Sequence, residues 1–337
     1  MNDDLASPAL LNHPPRLWKV TGLLWRGLLN LSTLRRILRF LNLPTFIDLV
    51  QDNPKFAFKC LTESYLMKGL TVPDRADCFL HNHELLFQRI PTRFLRQILT
   101  WGIDIAEFSE GGVRFIVRCG LSRPCGKEGE QSLVLLADGE ILYTIAFTVV
   151  PGRITGSGCR EVILISRIQG EPSLPNAKLK TAQAALARLR FGSVLLSCLE
   201  GLALAFGINE IACVSSPLQL SYSPDYADRF KHAYEDLLLE RDFVLNELGI
   251  YVSPVPMWQR AVDENRPHHA TRAQARHALR QKVSDLCRDF LRDLLTSPTS
   301  ISLNESPQEA LSRSPRPPLL PQEEPALARD TSSLSFG

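Results

Sequence analysis

Residues 191–216, FGSVLLSCLEGLALAFGINEIACVSS, decide the architecture. From Ser193 to Phe206 the chain is apolar nearly all round, and a helix with no continuous polar face has to be buried. Gly207 follows where a left-handed C-terminal residue closes a helix at no steric cost. Ile208 to Ser215 then reads as a strand, and Glu161 to Ile168, upstream, is a second β-branched run. Strand, buried helix and strand make a unit that must lie inside the molecule, and any chemistry must sit on it.

Working upstream, Val113 to Cys119 alternates, and Ser132 to Ala137 is a short apolar run. Asp138-Gly139 is a tight-turn dipeptide, followed by a long strand from Ile141 to Val150. Tyr143, Ile145, Phe147 and Val149 share one face of that strand; Leu142, Thr144, Ala146 and Thr148 share the other. Both faces are largely apolar, which places it in the middle of a sheet. A helix is expected from Lys178 to Arg188, broken at Leu189-Arg190-Phe191-Gly192. Downstream, Tyr226 to Glu240 reads as a helix and Phe243 to Val252 as a final strand. Residues 45–110 read as helices.

The fold class expected is therefore α/β, an α+β mixed sheet with an N-acetyltransferase-like core and an N-terminal helical extension. The expected divisions are a helical, basic amphipathic extension over 1–85, a mixed core over 86–295 and a Ser/Pro-rich disordered tail over 296–337.

Composition narrows the class further. Of 337 residues, 45% are apolar and 22% charged, with a net charge of +2, as in ordinary globular proteins. So balanced a charge gives no argument for a nucleic-acid partner. None of the eight cysteines forms a C-x-x-C pair, and several lie in apolar runs. No secretory leader is evident and no run of eighteen uncharged apolar residues occurs. These features point to a cytoplasmic location with a reducing environment, with a peripheral place on the inner membrane as the variant.

That variant rests on the segment from Leu17 to Leu41, which contains no acid. At about 100° per residue, Arg16, Lys19, Arg26 and Asn30 share an arc, opposite Leu17, Leu24, Trp25 and Leu28. Leu23 falls on the polar side. Ser32 or Thr33 is the expected cap of a second short helix, ended by Pro44. A basic amphipathic helix with tryptophans suits an anionic membrane surface. Equally, its apolar face can pack on the domain behind it.

Candidate site residues follow from the same chemistry. Arg190, Gly192 and Ser193 open directly onto the buried helix, whose free N–H groups and dipole suit a phosphate or pyrophosphate. Gln169 and Ser215, at the ends of the two core strands, face that junction. Together these five are the expected binding residues for an acyl-CoA-type donor. By position, Tyr226 or Tyr234 is a candidate general acid and Glu161 a candidate base. Arg272, Arg276 and Arg280 step four apart within an arc of about 80° and suit an anionic partner such as a lipid headgroup. Part of that face packs inward through Leu279, Val283, Leu286 and Phe290; a solvated helix is the plainer reading. His81 and His83, two apart on a helix, point to different sides and chelate poorly, so no metal is expected. There is no G-x-S-x-G elbow.

Leu164-Ile165-Ser166-Arg167-Ile168-Gln169-Gly170 is similar to a family strand ending in R-x-Q-G. Lys180-Thr181 ahead of Leu189-Arg190 is like a T-K…H-G-L-R-P segment, and Gly207-Ile208 before Val214-Ser215 like a G-I…V-S strand. On these residues the chain, from about Pro44 to Leu286, resembles the VirK/YbjX family of Gram-negative bacteria. It departs from the pattern at Ala187-Arg188 for H-G and at Phe191 for the following Pro. It departs also at Leu237-Leu238 for an aromatic pair, and at His268 and His269 for Ser and Lys. The resemblance implies a setting in virulence, envelope integrity and resistance to cationic antimicrobial peptides, without implying a reaction. Two roles are carried forward: acyl-type transfer to an envelope precursor, and non-catalytic peripheral membrane assistance to envelope assembly.

Overall fold

A computed structural model describes residues 30–43, 46, 47, 50, 56, 58–62, 64–122, 126–171, 174–227, 234–257 and 267–296. All lie within one compact unit, Met1–Ser297. The basic segment before Asn30 and the tail after Thr296 are outside the described residues.

The long strand expected after Asp138-Gly139 is the hub. Asp138 and Gly139 both take positive φ, 47° and 87°, as a two-residue hairpin turn requires. They join β3 (Gln131–Ala137) to β4 (Glu140–Pro151). Upstream lie β1 (Ile103–Glu110) and β2 (Val113–Leu121), and β5 (Glu161–Gly170) follows. Among the described residues the sheet has eight strands, in the order β1-β2-β3-β4-β5-β6-β8-β7. β6 is Glu210–Val214, β7 Val244–Leu245 and β8 Ile250–Pro254. Neighbours are antiparallel except β5 and β6, which run parallel.

Two expectations need correction here. Residues 103–110 are strand, not helix, because Ile103, Ile105 and Phe108 line the buried face across an irregularity between Asp104 and Ala106 that breaks the plain alternation. The single final strand is a hairpin: Asn246 Oδ1 accepts from the N–H groups of Leu248 and Ile250, and Gly249 takes φ 71°. That side-chain turn ends β7 and starts β8.

The parallel pair is linked by two helices, α4 (Asn176–Ala185) and α5 (Phe191–Phe206). As expected, α5 is buried from Gly192 through Ala203 and closes on Gly207 at φ 68°. Its Leu202 and Phe206 lie over Phe147 and Val149 of β4. Further helices among the described residues are α1 (Leu31–Leu41), α2 (Val72–Arg89), α3 (Thr92–Thr100), α6 (Asp236–Leu239) and α7 (Pro267–Thr296). α7 covers α5 and brings Leu279, Val283, Cys287, Leu291 and Leu294 inward. Of the helix expected over 226–240, the described residues hold only a 3₁₀ turn at Pro224–Tyr226 and the short α6 with the π-type turn before it.

Residue 85, the expected edge of the extension, falls inside α2. That helix is bound into the sheet: Asn82 Oδ1 accepts from the Val149 N–H at 2.9 Å, on the edge of β4 that β3 no longer covers. α1 turns Ile37, Phe40 and Leu41 inward, and the Phe40 ring stands 4.5 Å from that of Phe46. Asn30, not Ser32 or Thr33, occupies the helix-start position. A buried carboxylate fastens this side further: Glu130 takes His83 Nε2 at 2.7 Å, Lys59 Nζ at 2.7 Å and the Tyr65 hydroxyl.

Candidate functional site

β5 and β6 pair over only three residues, Ile163 with Ile211, Leu164 with Ala212 and Ile165 with Cys213. Beyond them the pairing stops: β6 ends at Val214 while β5 runs on to Gly170. On the β4 side, Phe147 faces Ile165 and Ala146 faces Arg167, so Ser166 is an extra residue bulged out of the ladder. A bulge bends its strand and raises the local twist. Arg167–Gly170 continue β5 past the bulge, whereas β6 ends at Val214 and turns at Ser215. The edge of β5 from Ser166 to Gly170 is left without a strand partner on that side.

Polar side chains gather at this opening. The Ser166 hydroxyl is wholly buried and has no hydrogen-bond partner among the described residues. Arg167 holds one oxygen of Glu128 as an ion pair, while Glu128 Oε1 is buried and has no partner among the described residues. At the end of β6, Glu235 Oε1 accepts from the Ser216 hydroxyl at 2.7 Å and from the Ser216 N–H at 3.4 Å. Burial and then the Glu235 charge raise the Tyr251 hydroxyl above its ordinary value. An opening that leaves buried polar atoms unsatisfied is suited to a polar ligand rather than to closure.

The expected donor residues converge in part. Gln169 lies on the free stretch of β5, opposite Thr144, and Ser215 ends β6, buried. Arg190 stands at the start of α5, half-exposed, with Nη2 3.4 Å from Glu240 Oε1. Ser193 is buried at the first turn. Gly192 requires a correction. A Cβ there would stand 2.5 Å from Leu237 Cδ2 and 3.3 Å from Tyr143 Cε1. Glycine makes room for Leu237, not for an anion.

The proposed acid and base residues fare differently. Glu161 begins β5, at the opposite end from the opening, and its carboxylate is held by Arg89 Nη2 at 2.5 Å. Nine residues at ~3.3 Å separate it from Gly170, too far to serve there. Tyr234 is buried with its hydroxyl 3.0 Å from Cys213 Sγ, and burial, then Cys213, raise it well above the ordinary range. Tyr226 ends a 3₁₀ turn; its side chain is outside the described residues. Glu235, Glu128 and Ser166 were missed: nothing in composition marks a bulge or a carboxylate that meets the site only through the fold.

The three arginines of α7 do not act as one grip. Arg272 is exposed. Arg276 reaches back to the loop before α5, donating to the carbonyls of Ala187 at 3.1 Å and Arg188 at 3.3 Å. Those two residues take left-handed φ of 51° and 59°, a strained turn that Arg276 ties down. Arg280 points inward. Of the histidines, His83 serves Glu130, and His81 lies 3.6 Å from Glu161. Among the described residues no three His, Cys, Asp or Glu side chains group as metal ligands, and no helix is long and apolar enough to cross a membrane.

Fold and site together define a mixed α/β protein with a briefly paired parallel strand pair beside a buried central helix. The chain belongs to the family described as protein of unknown function (DUF535), whose model matches residues 13–285. No curated protein and no solved structure matches it.

Proposed function

We propose that this protein is an acyl-type transferase with an N-acetyltransferase-like core, and that the opening between β5 and β6 receives a CoA-like donor. The observation that carries this reading is that the parallel pairing of β5 with β6 stops at Ile165, beside the Ser166 bulge, which leaves the rest of β5 without a strand on that side among the described residues. Tyr143, opposite Gly170 at the end of β5, lies against Gly192, so the first turn of α5 and the opening are neighbours. The unpartnered Ser166 hydroxyl and Glu128 oxygen fit the amide-bearing arm of such a donor. When bound, the donor supplies an activated thioester carbonyl.

The chain's own part is to orient and to move a proton. Glu235, half-buried and braced by Ser216, takes the proton from an acceptor N–H or O–H as it attacks the carbonyl. The C–S bond breaks and the thiolate leaves, to be protonated from solvent. Arg190, held only loosely by Glu240, can turn its guanidinium to the donor's phosphates. The VirK/YbjX resemblance, which points to the same DUF535 family, makes an envelope precursor the natural acceptor.

Isothermal titration with acyl-CoA donors tests this reading. Binding is expected in the wild type, weakened at least tenfold in Arg190→Ala; no binding together with an unaltered Arg190→Ala variant would remove the proposal.

A second reading has its own support. Leu31, Arg35, Leu38 and Arg39 are exposed along one outer stripe of α1, an apolar and basic surface suited to anionic lipid. Flotation on neutral and anionic liposomes decides it, with anionic-selective binding expected and equal partitioning contrary to it.

A further inference from the structure

Glu200 lies in α5 and is buried. Nine residues beyond Phe191, at 1.5 Å per residue, it stands about 13 Å along the helix from the turn that adjoins the opening. Both its oxygens are taken, Oε1 by the Met257 N–H at 2.6 Å and Oε2 by Arg241 Nη2 at 3.0 Å. Arg241 is only 1% exposed, yet its Nε and Nη1 have no hydrogen-bond partner among the described residues. Arg280 of α7 brings a second guanidinium to the same place, and its Nε is likewise buried and unpartnered.

Every described element packed here contributes to the count of charge. α5 gives Glu200; the turn after α6 gives Glu240 and Arg241; α7 gives Arg276 and Arg280. Glu240 is half-exposed and directed to Arg190, and Arg276 is occupied by the carbonyls of Ala187 and Arg188. Among the described residues, Glu200 is therefore the one buried carboxylate for two inward cations, with Glu240 also acting on Arg280 from the surface. Arginine does not shed its proton to relieve such a site, and a buried cation without a counter-charge is costly. Burial, followed by the Arg241 charge, pushes Arg280 down to about 10, the direction expected where a negative charge is missing.

We propose that Arg241 and Arg280, braced by Glu200, form a binding site for an oxyanion of the phosphate class. Its unpaired N–H groups belong to planar guanidinium forks, which match a phosphate or carboxylate edge with two parallel bonds. The site is separate from the opening between β5 and β6 and does not depend on the transferase reading. The same chemistry is carried by a free phosphate and by a phosphorylated headgroup.

Thermal unfolding and calorimetric titration of the full chain at fixed ionic strength test it, with inorganic phosphate and glycerol 3-phosphate as probes. The midpoint should rise with phosphate, as for any ligand that binds only the folded state. Arg280→Gln should bind phosphate at least tenfold more weakly, whereas Arg292→Gln, exposed on the same helix, should bind as the wild type. Glu200→Gln removes the carboxylate paired with Arg241 and should tighten binding, a gain that a purely structural role would not produce. Tighter binding of phosphate than of glycerol 3-phosphate assigns the site to a free anion, and the reverse order to a headgroup. The proposal is overturned if neither probe binds the wild type, or if Arg280→Gln keeps wild-type affinity.

Discussion

Gly201 of α5 lies so close to Ser284 of α7 that a Cβ added to it would overlap the Ser284 carbonyl oxygen. The opposing atoms are backbone, which cannot swing aside as a side chain would. Helix propensity alone favours alanine over glycine by about 1 kcal/mol. Close packing reverses that sign, and Gly201→Ala is expected to destabilise the protein by about 1–3 kcal/mol in urea unfolding. A stabilised variant would show that the two helices are not packed as described.

Glu130 is a buried carboxylate with three side-chain partners, Tyr65, His83 and Lys59. Burial works to raise its pKa, but Lys59 and the hydrogen bond from His83 outweigh it, and the net direction is down. A lowered carboxyl contributes stability that is present above the unfolded pKa and lost as pH falls through the folded one. Glu130→Gln leaves the largely covered Lys59 without its partner, at a cost of up to about 3–5 kcal/mol near neutral pH. Chemical denaturation from neutral to acid pH should show the gap between wild type and variant narrowing below the ordinary carboxylate range. A gap independent of pH would contradict the ion-paired Glu130.

If Glu235 is the base, Glu235→Gln should lower turnover by about 10²–10⁴-fold, the usual weight of a positioned acid–base group. Its amide can still accept from Ser216, so donor affinity should be nearly unchanged. Equal losses in turnover and donor binding would make Glu235 a structural residue instead.

The sequence makes the centre of this fold legible and its rim much less so. The helix Ser193–Phe206 had to be buried because it offers no polar face, and Gly207 and Asp138-Gly139 mark their turns through the backbone they require. β1 was misread because an irregularity after Asp104 disrupts its period of two, and the final hairpin because Asn246 makes its turn through a side chain. At the site, Gln169, Ser215, Arg190 and Ser193 sit near the junction where strand ends and helix start must meet. Glu161, expected as a base, lies at the start of β5 and Gln169 near its end, because a strand carries its first and last residues apart. Gly192 failed as an anion cradle because Leu237, more than forty positions away in sequence, fills the space it leaves. Ser166, Glu128 and Glu235 come together only through the bulge and the loops, which local pattern does not encode.

Hydrogen exchange of the full chain with and without a saturating acyl-CoA donor tests the central claim most directly, because it reports where the donor sits. The expected result is slowed exchange in the stretches Ser166–Gly170 and Val214–Ser216 on the two sides of the opening, with β1 and β2 unchanged. Unaltered exchange at both stretches, under conditions where calorimetry shows the donor bound, would contradict a donor site between β5 and β6.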